Sequence, residues 1–429
     1  METYDSTWVD AQVAQTAEVW HSSGRGLGRN ARRFNAREQE EREAAYDEAL
    51  QAVEKDLESA ERTAMQPRII ASFARFSAKA LDLDCAAIDL LVHDFLPAGT
   101  RLARWARRFD ASLGMSEIIQ AARNAWTACG LQPLLGARVD LTPSILGYSL
   151  LYPYSDNYLD DGDVRAETKL QFSRRFRRRL LGEKPPAADN RERAMWALIG
   201  LIESQYPRAR FPQVFECLLA IHQAQERSIG QLHNRPTGTD AAWLRLSCAK
   251  GGTSVLADAC LANGSLNPAQ SRFAFEWGVL LQLGDDLQDV RDDMRRGSTT
   301  LFSRAAAGGR PLDALTGQLL GFSEKVGKRM EELPHGSPTL KKLLEMSWRS
   351  LIVRAVADSH EFFSPGFLHA AEQSSPFRFE FLRRRGNRLA GRAGLYASLF
   401  DALLESPRDS GGLPAREAVE SIAAVSSST

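Results

Sequence analysis

The sequence predicts an all-α protein, on three observations. Apolar residues recur three and four positions apart through most of the chain, the period of one helix face. Runs that alternate apolar and polar residues, as a half-buried strand does, are nearly absent. Pro- and Gly-bearing segments such as Lys184-Pro185-Pro186-Ala187 and Pro236-Thr237-Gly238 separate the periodic stretches, as loops between helices would. At 429 residues the chain is long enough for one large helical domain or two smaller ones, with a sizeable core.

Taken in order, residues 1–35 are polar, carry Ser22-Ser23-Gly24-Arg25-Gly26-Leu27-Gly28, hold no sustained period and are expected to be mobile. Residues 36–64 alternate charge with Ala, which suits an exposed helix laced with ion pairs. From Ile69 the pattern turns apolar. Phe73, Phe76 and Ala80, then Ile88, Leu91 and Phe95, recur at helical spacing until Pro97 interrupts. A helix is expected over Ser116–Thr127, and an apolar run from Ile145 to Tyr154 follows. Arg174-Arg175-Phe176-Arg177-Arg178-Arg179 reads either as a solvated basic helix end or as a surface facing phosphate or a partner. Helical period returns at 190–205, 211–233 and about 240–263. Inside the last of these, Gly251 and Gly252 would each cost about 1 kcal/mol relative to Ala. The pair implies a kink, a backbone approach to a ligand, or close helix–helix packing. A helix is expected from about Phe273 through the second acidic cluster, ended by Arg295-Arg296-Gly297, and further helices near 313–332, 338–358 and 377–405, with a disordered tail from 407 to 429. One helical region, 36–406, therefore lies between two unstructured ends.

Lys and Arg number 54, as do Asp and Glu, so no global field argues for nucleic acid. The five cysteines form no C-x-x-C pair and, being odd in number, read as reduced thiols. The first residues lack the basic-then-apolar order of a secretory signal, and no apolar run approaches 18 residues. A cytoplasmic chain without a membrane span is the expectation.

Two acidic clusters carry the chemistry. The first, Asp156-Asn157-Tyr158-Leu159-Asp160-Asp161-Gly162-Asp163, follows the apolar run that ends at Tyr154, and places Asp156, Asp160 and Asp163 on one helical stripe. In the second, Gln282, Asp286, Asp289 and Asp293 share a stripe, and Asp285 sits one turn before Asp289. Like charges at such spacing each destabilise a helix by roughly 0.2–0.5 kcal/mol, more when desolvated. The bland explanation is an acidic solvent face. The alternative is that cations neutralise the stripes; oxygen-only ligands favour a hard ion, Mg²⁺ before Zn²⁺. Because Mg²⁺ binds one or two carboxylates together with substrate phosphates, two opposed stripes suggest a diphosphate site.

At these residues the chain resembles the class I isoprenoid synthases, the all-α superfamily in which two aspartate-rich helices hold Mg²⁺ on a prenyl diphosphate. Leu281-Gln282-Leu283-Gly284-Asp285-Asp286-Leu287-Gln288-Asp289 is similar to the second D-D-x-x-D motif of trans-prenyltransferases. Asp289-Val290-Arg291-Asp292-Asp293 with Arg295-Arg296-Gly297 looks like the second motif of squalene and phytoene synthases. Asp156, Asp160 and Asp161 are similar to the D-x-x-x-D-D form of that branch, and their setting resembles bacterial terpene synthases. Gly230-Gln231, then Lys250 and Thr253, are similar to the G-Q and K-T elements of prenyl synthases. The likeness covers roughly 140–300. The adjacent leading Asp pair of elongating synthases and the N-S-E motif of many cyclases are both absent.

The resemblance implies a single large helical bundle with an extra N-terminal helical region, and ionisation of an allylic diphosphate of C10–C20 or longer. A cluster of three Mg²⁺ ions, Mn²⁺ being the alternative, would be held by Asp156, Asp160, Asp161, Asp285, Asp286, Asp289 and Asp293. Lys250, Arg291 and Arg295 would complete the phosphate clamp and Gln231 would orient diphosphate or water. Tyr152, one turn before Asp156, would limit chain length; Tyr148, Phe215 and Trp243 would be either pocket wall or core. The departure of the first motif from the elongating pattern favours a terpene product over chain elongation. No nucleic-acid partner is implied; a homodimer and transient contact of an apolar product with a membrane surface are. Competing readings are weaker. A carboxylate-bridged iron bundle needs Glu-x-x-His on facing helices, and the match Glu332-Leu333-Pro334-His335 is broken by its proline. A phosphohydrolase built on His-Asp pairs has only His93-Asp94 to offer, and a non-catalytic helical scaffold is the remaining alternative.

Overall fold

The computed structural model describes residues 2–28, 32–58, 65–160, 164–233 and 238–391. These residues are all-α. The expected tail, 407–429, lies outside them. No described helix is long and apolar enough to cross a membrane.

The first departure from the sequence reading is at the N-terminus. Helix α1 (Ser6–His21) is capped by Asp5, whose side chain accepts from the Trp8 N–H, and it buries Val9, Val13, Ala17 and Trp20. Those four positions step by four, four and three, a period that the surrounding polar residues mask. Trp20 lies edge-on to Phe322, and Tyr4 shares a 2.7 Å hydrogen bond with Ser271. The strand of chain after α1 runs against the helix Asp313–Glu331, where a Cβ on Gly317 would meet the Arg25 carbonyl at 2.4 Å. Residues 4–27 of the segment expected to be mobile thus belong to the main core.

Helices α2 (Ala36–Glu58) and α3 (Met65–Lys79) form a satellite layer with the last described helix, Phe379–Gly391. Ala80, Phe377 and Phe381 make a small second core, held by Arg378 on Glu43 and by Gln39 on the Glu372 and Ser375 carbonyls. A short helix α4 (Cys85–Leu90) runs on through one widened turn, Leu91–Phe95, into α5 (Leu96–Phe109), so Pro97 sits just past a bulge and does not end the helix.

The main bundle consists of α6 (Met115–Leu134), α7 (Pro143–Asp160), α8 (Ala166–Leu180), α9 (Asn190–Gln205), α10 (Pro212–His233), α11 (Asp240–Asn263) and α12 (Pro268–Gln288). Helices α13 (Val290–Arg296), α14 (Leu301–Ala307), α15 (Asp313–Glu331) and α16 (Pro338–Asp358) close around it, followed by α17 (Pro365–Glu372) and α18 (Phe379–Gly391). At the centre is α11, buried on every side and packed against α12, α10, α6, α1 and α7. Its glycines are explained by α12. A Cβ on Gly251 would lie 2.5 Å from the Gly278 carbonyl oxygen, one on Gly278 2.0 Å from the Gly251 oxygen, and one on Gly252 2.5 Å from the Phe275 ring. Close helix packing, the third of the three alternatives, accounts for the pair, and α11 runs through it unbroken. The cysteines are free, with Cys85 exposed and the other four buried.

Candidate functional site

The two acidic helices end at the same end of α11. The Ser144 hydroxyl at the start of α7 donates to the Leu261 carbonyl near the end of α11, at 3.0 Å. Asn124 then links Ser149, further along α7, to Asp258, further back on α11. Helix α7 therefore runs antiparallel to α11. So does α12, where Gly278 meets Gly251 and Asp286 meets Ser247. The same holds for α10, because Gln213 at its start accepts from the Leu266 N–H just beyond α11. The chain direction thus carries Asp156 and Asp160 of α7, Gln231 of α10 and Asp285, Asp286 and Asp289 toward the end of the bundle at which α11 begins. The side chains of Asp156, Asp160, Gln231 and Tyr152, and the whole of Asp161, lie outside the described residues.

The end of α7 is fixed by its aromatics. The Tyr154 hydroxyl donates to Asp110 at 2.7 Å, and the Tyr158 ring lies under the Arg191 guanidinium, 3.2 Å from its carbon, and edge-on to Phe172. Of the expected wall residues, Tyr148 lines a narrow cleft between α7, α8 and α10, with Leu151, Phe176, Leu218 and His222. Phe215 is core, covered by Arg208, and Trp243 is core as well.

On α12 the acidic residues have diverging partners. Asp286 is buried; one oxygen accepts from Ser247 at 2.7 Å and the other from Gln282 at 2.8 Å. Burial pushes its pKa up to about 6 against those donors and the nearby Lys250. Asp285 takes an ion pair from Arg123 of α6 at 2.9 Å. Its carboxyl is raised by burial, with Arg123 opposing and Asp289 adding to the rise. The helix expected to carry one stripe from Gln282 to Asp293 is interrupted, because Asp289 leaves helical geometry (φ −90°, ψ 5°) and ends α12, and α13 begins after it. A run of Asp favours such a break, since its side chains compete for nearby backbone and repel one another. Asp293 on α13 still faces the cluster: burial, then Asp286 and Asp289, push it up to about 7, and Asp289 is raised by burial and by Asp292.

The expected phosphate clamp divides. Lys250 bears electrostatically on Asp285, Asp286 and Asp293, so it does face the acidic end. Arg291 is committed elsewhere, its Nε donating to Glu361 at 2.7 Å and an Nη to the Asp358 carbonyl at 2.8 Å. Arg295 pairs with Asp292 at 2.7 Å, while Arg296 is the α13 cation that bears on Asp289 and Asp293. Arg123, Ser247 and the buried Asn124–Asp258 pair were not singled out from sequence, because each acts across helices far apart in the chain.

Among the described residues no three His, Cys, Asp or Glu side chains are gathered into a ligand set. The donors at the acidic end are nonetheless all oxygen, and four of their carboxylates are raised by burial and mutual repulsion, the condition a bound hard cation relieves. Comparison of the chain with protein-family models, with curated proteins and with solved structures gives no match.

Proposed function

We propose that the chain is a class I isoprenoid synthase that ionises an allylic prenyl diphosphate with Mg²⁺ and forms a terpene from the resulting cation. The observation that supports this most is the shared end of α7, α10 and α12, since one topology brings together the residues that the motif resemblance selects independently. In this reading Asp156, Asp160 and Asp161 from α7, with Asp285, Asp286, Asp289 and Asp293 from the second cluster, hold the ions. The bound cations would supply neutralisation of the diphosphate leaving group as its charge develops. Lys250 contributes a point charge beside the same carboxylates, and Arg123, once Asp285 turns to a cation, is left with a guanidinium free to fork onto a phosphate. The resulting carbocation would need a dry, apolar pocket beside that end.

The test is pyrophosphate release from geranyl, farnesyl and geranylgeranyl diphosphates with Mg²⁺, with and without isopentenyl diphosphate. Hydrocarbon or alcohol products are expected, and elongated diphosphates would instead identify a chain-extending transferase. Asp285→Ala and Asp160→Ala should each abolish release and leave helical content unchanged. No release from any of the three substrates overturns the proposal.

A further inference from the structure

The basic run of α8 takes no part in the proposed chemistry. Its exposed positions, Glu167, Leu170, Gln171, Arg174, Arg177, Arg178 and Leu181, recur at three or four and form one outer stripe. Leu170 is 55% and Leu181 49% exposed, high for side chains of that size, and they flank the arginines about 16 Å apart. Between Arg165 and Lys184 eight cations stand against two anions, Glu167 and Glu183. Glu192 and Glu203 of α9 reach in to pair with Arg175 and Arg179, leaving an excess of four. Arg178 is held by Glu183, whereas the side chains of Arg174 and Arg177 make no ion pair or hydrogen bond with any described residue. The inner side of the same helix lends Phe176 and Leu180 to the apolar cleft against α7 and α10.

We propose that the outer face of α8 docks on an anionic lipid surface. Unpaired arginines between two exposed leucines match a layer of negative headgroups over acyl chains, with the guanidinium groups at phosphate level and the leucines below it. A solvated basic helix end needs no such leucines. A nucleic-acid backbone offers nothing to the two exposed leucines, and a single strand would be met by aromatic side chains that stack on bases, of which the outer stripe carries none. The proposal stands independently of the catalytic reading, and its test measures binding alone.

The experiment is co-flotation of the full chain with vesicles of phosphatidylcholine alone and of phosphatidylcholine with phosphatidylglycerol. Binding is expected to the mixed vesicles only, and to weaken as salt shortens the Debye length. Each arginine neutralised should lower partitioning about fivefold, so Arg174→Gln/Arg177→Gln should lower it by roughly 25-fold. Leu170→Ser/Leu181→Ser should weaken binding and leave its salt dependence unchanged. Arg37→Gln/Arg384→Gln, matched in charge on exposed positions of α2 and α18, should bind as the parent does. Equal binding to both vesicle types, no binding to either, or undiminished binding by the Arg174/Arg177 variant would overturn the proposal, as would displacement from the mixed vesicles by a single-stranded RNA at equal phosphate concentration.

Discussion

Replacing Gly278 by Ala tests whether the glycines of the central helix pair are there for packing. In an exposed helix this change is favourable by about 1 kcal/mol. At Gly278 the new Cβ would sit 2.0 Å from the Gly251 carbonyl oxygen and 3.0 Å from the Val255 Cβ. An ordinary carbon–oxygen contact is about 3.3–3.6 Å, so α11 and α12 would have to part by more than about 1 Å at this point. The obstacle is backbone and has no rotamer to give. Overpacking of this kind costs about 1–3 kcal/mol or more, which outweighs the gain in propensity and makes the net change destabilising. Gly200, within α9 with nothing inside 4 Å of its would-be Cβ, is the internal control, and Gly200→Ala should stabilise by up to about 1 kcal/mol. The assay is chemical denaturation, reading the midpoint at unchanged m-value. The sign decides: a Gly278→Ala protein more stable than its parent would refute the packing account.

Trp20→Ala should destabilise by about 3–5 kcal/mol, since Trp20 is 2% exposed and packed on Phe322; a midpoint shift below about 1 kcal/mol would detach α1 from the core. Asp258 is fully enclosed and burial raises its carboxyl well above the usual range, with only Asn124 opposing. The folded form therefore keeps a proton that the unfolded chain releases near pH 4, and stability falls as pH rises above that point. Asp258→Asn should flatten this fall, read as unfolding midpoints at pH 5 and pH 8; identical slopes in parent and variant would contradict it.

What the sequence made legible was local. The limits of α11 at Asp240 and Asn263 could be read because turn residues bound the apolar period, and Gly264 (φ 79°) confirms the stop. The acidic helices could be read for the same reason. The order of α1 could not, because one narrow row of Val9, Val13, Ala17 and Trp20 is outweighed in any window by polar neighbours. The stop at Arg295-Arg296-Gly297 was legible in the same way as the limits of α11 and holds (Gly297 φ 72°), whereas the local break at Asp289 escaped a reading based on period alone. Arg123, Ser247 and Asn124 became relevant only when α6, α7, α11 and α12 were brought side by side, and nothing in their own neighbourhoods marks them.

How the chain treats its other buried acids gives Asp286 a meaning. Glu43, Glu192 and Glu276 are as buried as Asp286 or more so, and each is met by arginine: Arg378 on Glu43, Arg175 on Glu192, Arg272 and Arg329 on Glu276. Asp286 and Asp258 are the buried acids among the described residues with only neutral hydrogen-bond partners. For Asp286 the result is a carboxyl pushed up to about 6, so stability is fully present near pH 4 and lost as pH climbs to that value, by an amount on the order of 3 kcal/mol. Asp286→Asn keeps the shape and should abolish that loss, making the metal-free protein more stable at pH 8. If Asp286 instead waits for a cation, Mg²⁺ restores the parent by mass action, about 2.7 kcal/mol at a hundred times Kd, and gives the variant much less. Thermal unfolding of both proteins with and without Mg²⁺ separates the cases. A parent that gains nothing from Mg²⁺ would leave Asp286 a mere structural cost, and the acidic end of the bundle without the ion on which the proposed chemistry depends. Asp258, three turns along α11 and away from that end, should respond to pH in the same direction and to Mg²⁺ not at all.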